Sequence, residues 1–197
     1  MSNTTIDYYN THADSFISST VNADISDMLQ AFLHKLPSGA VILDWGCGSG
    51  RDSYAMLQAG YTVDSVDLSE AMVKTTEKLT GRPVIHASFF DLDAENIYDG
   101  IWACSSLLHI EKDKLPELFT KASKALVTDG IMYVSFKYGD FSGIRNGRYF
   151  TDLTETSLQE ILEDAPSLTI LKHWTSGDVR PGHSHEQWLN ALLIKQN

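Results

Sequence analysis

The chain has 197 residues, 43% of them apolar, and a formal net charge of −11. That length suits one folded domain with a sizeable core. The acidic balance disfavours nucleic-acid partners, whose phosphates are bound mainly through Lys and Arg. The two cysteines, Cys47 and Cys104, lie far apart and outside any CxxC pair, so no disulfide is expected and a reducing compartment fits.

The opening MSNTTIDYYN has neither a basic start nor an apolar core, which argues against a signal peptide. No apolar run approaches the roughly 20 residues of a membrane span, and the expectation is a cytoplasmic protein. Ile25, Met28, Leu29, Phe32, Leu33 and Leu36 recur at helical spacing and predict an amphipathic helix over 22–36, ended by Pro37-Ser38-Gly39. Ala40–Trp45 predicts a buried strand, and a helical pattern runs from Arg51 to Gly60. Tyr61–Asp67 alternates and ends in an acid, predicting a second strand. Ser69 is placed to cap a helix whose face carries Met72, Thr76 and Leu79. Val84–Ala87 predicts a short strand, and DGIWACSSLLHI (99–110) a strand with its exit loop. Leu115, Leu118, Phe119, Ala122, Ala125 and Leu126 mark a helix, and Asp129-Gly130 turns into the strand Ile131–Phe136. Residues 138–150 read as a glycine-rich polar loop. Leu158, Ile161 and Leu162 mark the last helix, and strands near 168–174 and 187–194 close the chain.

Strands alternating with helices predict an α/β fold: a single-domain, Rossmann-like, seven-stranded sheet, mostly parallel, with helices on both faces and an antiparallel C-terminal hairpin. Ligands of such sheets bind at the carboxyl ends of the strands. The glycine turn WGCGSGRD lies at one such end. Gly46 and Gly48 fit the first two positions of the dinucleotide pattern G-x-G-x-x-G, but Arg51 stands at the third, and the actual spacing, with Gly50, is G-x-G-x-G. The Gly-Lys-Ser/Thr ending of a P-loop is absent. Asp44, beside the turn, would repel a pyrophosphate and suits a ligand carrying ammonium or sulfonium charge.

LDWGCGSG followed by VDSVDLSEAM resembles the cofactor site of class I S-adenosylmethionine-dependent methyltransferases, over residues 40–195. Within that family, GCGSGRD, DGIWACSSLLH, SFKYG and GRYFT are similar to small bacterial enzymes grouped with tellurite-resistance methyltransferases. The resemblance implies S-adenosylmethionine as methyl donor, S-adenosylhomocysteine as product, and the following roles. Gly46, Gly48 and Gly50 let the backbone pass under the methionine part. Asp44 organises the turn and the donor's amino group. Asp67 accepts from the ribose hydroxyls, Leu68 packs on the adenine, Phe90 and Asp91 flank it, and Arg51 pairs with the donor's carboxylate. Cys104 belongs to the cofactor wall rather than acting as a nucleophile. Residues 1–39 form a helical lid and cap ahead of the domain 40–197, with Tyr8 and Tyr9 covering the sulfonium.

The exit of the fourth strand has no proline, which argues against the Asn/Asp/Ser-Pro-Pro-aromatic tetrad of amide and adenine methylation. His109, a few residues on, is either a general base or a support for its loop. The chain has five arginines, of which Arg145, Arg148 and Arg180 lie in two C-terminal loops near Lys137 and His183. Such cations over an acidic domain suit a small acceptor bearing a carboxylate, phosphate or oxyanion. The alternative is internal ion pairing of Arg148 and Arg180 with acids such as Asp152 or Asp178. His183, His185 and Glu186 are not expected to hold a metal, since three candidate ligands in one loop lack a converging geometry. A partnered RNA or protein methyltransferase and a non-catalytic S-adenosylmethionine-binding domain are the competing readings, and a nicotinamide enzyme is disfavoured by the glycine spacing. The acceptor atom and the oligomeric state stay open.

Overall fold

The computed structural model describes residues 3–21, 23–180, 182–183 and 185–196. Two short helices, α1 (Asn3–Thr11) and α2 (Ala13–Thr20), lead into α3 (Ser26–Leu33). The predicted helix over 22–36 is shorter than its apolar pattern, because Asp24 accepts the Ser26 N–H at 3.0 Å and opens α3 there. The sheet begins with β1 (Val41–Trp45), followed by α4 (Arg51–Gln58), β2 (Thr62–Asp67), α5 (Glu70–Thr80), β3 (Val84–His86) and β4 (Tyr98–Ala103). Then come α6 (Leu115–Ala125), β5 (Leu126–Lys137), β6 (Ser142–Arg145), β7 (Arg148–Thr151), α7 (Glu155–Glu163), β8 (Leu168–Gly177) and β9 (Gln187–Lys195).

The seven-stranded sheet has the order β3-β2-β1-β4-β5-β9-β8. Its first five strands pair in parallel, and β9 pairs antiparallel with both β5 and β8. The order reverses between β1 and β4, which opens a crevice beyond their carboxyl ends. Neighbouring side chains of a strand point to opposite faces. Ile42 thus joins Phe32, Met56, Trp102 and Tyr133 in one apolar cluster, while Leu43 joins Ile101, Phe119, Met132 and Leu158 in the other. Burial on both faces explains why β1 and β4 carry consecutive apolar residues, Val41–Leu43 and Ile101–Ala103, rather than a strict alternation.

Further readings of the sequence change: Leu126 belongs to β5 rather than to the helix before it, and β5 runs through Asp129-Gly130. Residues 138–150 are not all loop: β6 and β7 pair antiparallel, from Ser142↔Thr151 to Arg145↔Arg148, across a two-residue Asn146-Gly147 turn. Both turn residues have positive φ, 52° and 77°, the geometry that matches the twist of a tight hairpin. On α5 the buried face is Met72, Val73 and Thr76, and Leu79 lies 40% exposed. Among the described residues, no helix is long and apolar enough to cross a membrane.

Candidate functional site

The glycine turn starts where β1 ends. The N–H groups of Gly46 and Cys47 both donate to the Val66 carbonyl, at 2.9 and 3.0 Å, so the chain folds tightly over the end of β2. Gly46 has φ +92°, and a Cβ there would stand 2.5 Å from Ser106 Cβ. Gly48 has φ +54°, and the nearest atom to its would-be Cβ is a Phe16 ring carbon at 3.9 Å, so the backbone faces open space. Asp67, at the end of β2, accepts from Gly48 N–H and Ser69 N–H, each at 2.9 Å. Burial pushes its carboxyl above the usual range despite these bonds. Gly46, Gly48, Asp67 and Leu68 line a cavity of about 250 Å³.

Other predicted members stand behind that wall. Gly50 does not line the cavity; it opens α4 with φ +79° and packs against Thr76. Asp44 lies beneath the turn, 2% exposed, and accepts from the Ser53 hydroxyl, which also bonds Ser65 at 2.8 Å. Burial, then the neighbouring Asp52 carboxylate, push it up to about 8. Phe90 and Asp91 are off the cavity as well. A short turn over Phe89–Asp91 sends Phe89 inward instead, edge-on to Trp45 at 5.4 Å, and Asp91 accepts the Ser88 N–H at 2.8 Å. Arg51 does line the cavity, but its guanidinium is committed: Nε and Nη2 grip Asp52, and Nη1 donates to the carbonyls of Thr20 (3.0 Å) and Ala23 (3.2 Å). It thereby ties the end of α2 to the glycine turn. Cys104 also lines the cavity, and burial pushes its thiol up to about 12.

The far half of the cavity is built from α1, the exit of β4, the β6–β7 hairpin and the loop before β9. His109 Nδ1 lies 2.7 Å from the Tyr149 carbonyl, which can only accept, so Nδ1 carries the hydrogen. Nε2 is then the acceptor for the Tyr9 hydroxyl at 2.7 Å. Burial holds the imidazole down to about 3, and Arg148 adds to that. The Arg148 guanidinium lies 4.5 Å over the Tyr8 ring and 5.2 Å from Phe150, and its Nη1 donates to the Tyr9 oxygen at 3.3 Å. Its Nε is buried without a partner among the described residues.

The other cations of this half are matched. Arg145 pairs with Asp152 at 2.7 Å, Lys137 with Glu186, and Arg180 with Asp178 at 2.6 Å. Arg180 thus takes the internal ion-pair alternative, whereas Arg148 takes neither acid. Asp178, His183 and Glu186 present atoms within 4.8 Å of one another, but Arg180 and Trp188 engage Asp178, and Lys137 and His183 engage Glu186. Sequence reasoning missed Phe89, Phe150, Trp188 and Ser105 as cavity residues. Ser105 has φ +53° and donates its N–H to the Ser135 hydroxyl at 2.8 Å. No sequence signal marks such a backbone turn in a serine.

The family of methyltransferase domains matches residues 42–130. YqeM of Bacillus subtilis (strain 168), named provisionally as a methyltransferase, is 29% identical over 119 residues, which are 53% of this chain and 47% of that one. The chain thus spans about half the length of the curated relative it matches. Among solved structures, the Burkholderia thailandensis 1,6-didemethyltoxoflavin-N1-methyltransferase, crystallised with 1,6-didemethyltoxoflavin and S-adenosylhomocysteine, has a TM-score of 0.77 at 24% identity, covering 98% of this chain and 85% of that one. A TehB-like S-adenosylmethionine-dependent methyltransferase from Corynebacterium glutamicum ATCC 13032 has a TM-score of 0.71 at 20% identity, covering 94% and 99%. At these identities the likeness is one of fold.

Proposed function

We propose, from the premise that this chain is a class I S-adenosylmethionine-dependent methyltransferase in its matched domain and in its fold, that it methylates a small anionic acceptor held beside Arg148. The donor half fits the donor. Gly48 leaves the space that a side chain would fill, and Asp67, holding two N–H groups, has lone pairs left for two ribose hydroxyls. Leu68 and Phe89 offer apolar walls for a base. When bound, the donor supplies a methyl group on a sulfonium, and its transfer is an in-line displacement in which the protein aligns the partners and excludes water. Residues 3–20, as α1 and α2, serve as the lid: Tyr9 and Phe16 line the cavity, and their rings meet edge-on at 5.0 Å.

The observation that carries the acceptor reading is the state of Arg148. It lines the cavity, lies over aromatic rings, and has no carboxylate partner among the described residues, while Arg145, Arg180 and Lys137 each have one. A guanidinium in this setting favours an oxyanion. A small acceptor also accords with the 1,6-didemethyltoxoflavin bound to the Burkholderia enzyme.

Heat-shift assays with S-adenosylmethionine, S-adenosylhomocysteine and NAD test the donor; the first two are expected to stabilise the protein and NAD is not. S-adenosylhomocysteine release is then followed with the small-molecule fraction of a cell extract. Arg148→Gln is expected to lower that release by about tenfold or more with donor affinity unchanged, since a charge-assisted bond contributes roughly 1.5–3 kcal/mol. Undiminished release would overturn the anionic acceptor. Donor binding without release from any extract fraction would favour a non-catalytic sensor.

A further inference from the structure

Methyl transfer to an N–H or O–H group leaves a proton to remove, and the cavity holds several groups that take protons elsewhere in biology. Here the carboxylates and His109 are engaged, Lys137 pairs with Glu186, and His183 Nδ1 lies 2.8 Å from Glu186 Oε1 at the outer edge. Among the described lining residues, the carboxylates of Asp52, Asp67, Asp178 and Glu186 are held by Arg51, by the Gly48 and Ser69 N–H groups, by Arg180 and by Lys137. His109 is buried, 3% exposed, with both ring nitrogens occupied: Nδ1–H by the Tyr149 carbonyl and Nε2 by the Tyr9 hydroxyl.

We propose that His109 is a positioning residue rather than a base: it clamps Tyr9 of α1 to the β6–β7 hairpin beside Arg148, and the acceptor enters already ionised. This deepens the methyltransferase reading and rests on it. The clamp joins elements 100 residues apart through one imidazole, with Tyr9 on one side and Tyr149 on the other. A second bond in the same seam, from Tyr149 N–H to Thr5 Oγ1 at 3.0 Å, holds α1 against β7. Because Tyr9 donates to His109, its oxygen is left as an acceptor, facing the Arg148 guanidinium. The charged or titratable groups that face the imidazole are Tyr9 from α1 and Arg148 from β7, and a protonated His109 would be a second buried cation beside Arg148. An ionised acceptor has no proton to lose. Its lone pair forms the new bond to carbon, the C–S pair goes to sulfur, and the negative and positive charges cancel.

Nitrogen-15 histidine spectra of the full chain with S-adenosylhomocysteine test the clamp over about pH 5.5–9, the range in which an ordinary histidine titrates. The expected His109 signal shows Nδ1 protonated and does not move; titration within that range, or an Nε2–H tautomer, overturns the proposal. His109→Ala and His109→Asn add a kinetic test, since an asparagine amide can donate to Tyr149 and accept from Tyr9. The alanine is expected to lower product release and the asparagine to recover most of it, with an unshifted pH profile. Loss of a base would instead cost both variants roughly 10²–10⁴-fold with the fold retained, and that result overturns the proposal. Benzoate and its uncharged counterpart benzamide probe the acceptor side of the S-adenosylhomocysteine complex. Benzoate is expected to bind more than about tenfold tighter, with the difference lost in Arg148→Gln; equal binding, or none at tens of millimolar, overturns the ionised acceptor. If wild type neither binds the donor nor forms product, the methyltransferase reading fails, while the His109 spectra of the free protein still report on the clamp.

Discussion

The two halves of the cavity are made in different ways. The half proposed for the donor comes from one turn and the end of the adjacent strand: Gly48 and Asp67 are 19 residues apart, and the turn bonds through backbone atoms. The acceptor half comes from side chains of four segments, with Tyr9 bonded to His109 over 100 residues and to Arg148 over 139. Backbone geometry is set by the fold and constrains the residue at each position. Side chains on loops and terminal helices change with little cost to the sheet. The glycine turn thus follows from the fold, whereas the far half of the cavity depends on this chain's own side chains.

The hardest blow to the donor half is Gly46→Ala. The new Cβ meets Ser106 Cβ at 2.5 Å on a backbone of positive φ. Overpacking and left-handed strain each cost about 1–3 kcal/mol, so a loss of about 3 kcal/mol or more is expected, with a large drop in Tm and no donor binding. Gly147→Ala makes the matching cut in the acceptor half. Its φ is +77°, but the Cβ would stand 3.3 Å from the Tyr8 ring, which can shift. A loss of about 1–2 kcal/mol with donor binding retained is expected. Equal effects on donor affinity would break the distinction between the halves.

Asp44 supplies the next effect, and it is one of pH. Its carboxyl stands near 8 in the fold and about 3.9 when unfolded. Between those values the folded protein holds a proton that the unfolded chain releases, so the contribution is full below about pH 4 and is lost as pH rises through 8. Stability should fall by up to about 1.4 kcal/mol per pH unit over that window. Asp44→Asn should flatten the slope in urea titrations at several pH values. An unchanged slope would mean that Asp44 is ionised under the turn.

Much of the donor half was legible because its signals are local. Alternating glycines after an apolar run, and an acid ending the next strand, are short-range statements about backbone. Asp44, Gly50 and Asp91 support the wall from behind rather than line it, and Phe89 rather than Phe90 turns inward because a Ser88 cap fixes a tight turn whose phase the sequence does not state. The β6–β7 hairpin carries a local signal as well, since Asn146-Gly147 is the dipeptide that such turns need. The fates of Arg148 and Arg180 were not legible. Asp152 is closer in sequence to Arg148, yet the hairpin register gives it to Arg145 and leaves Arg148 over the α1 tyrosines.

Asp67→Ala sharpens the donor side further. The loss of one charge-assisted acceptor should weaken S-adenosylhomocysteine binding by tenfold or more, about 1.4 kcal/mol. Calorimetric titration reads it directly, and the acceptor-half variant Arg148→Gln is the control that should leave the affinity alone.

Arg180→Ala has the smallest expected effect and separates the two arginines of the acceptor half. Arg180 is 22% exposed and grips Asp178, whose side chain is 2% exposed and also accepts from Trp188 Nε1 at 3.0 Å. Burial alone would raise the Asp178 carboxyl, but the bonds from Arg180 and Trp188 outweigh it and hold the group down to about 2. A depressed carboxyl contributes stability above its unfolded value of about 3.9, and that contribution is lost as pH falls through 2. Removal of the partner should cost about 1 kcal/mol at neutral pH, after allowance for solvent screening of the exposed guanidinium, and the difference from wild type should shrink below about pH 4. Donor affinity should not move, and product release should change by less than about threefold, because the cation was already neutralised within the protein. A loss of product release as large as that of Arg148→Gln, at full stability, would mean that Arg180 leaves Asp178 to meet the acceptor.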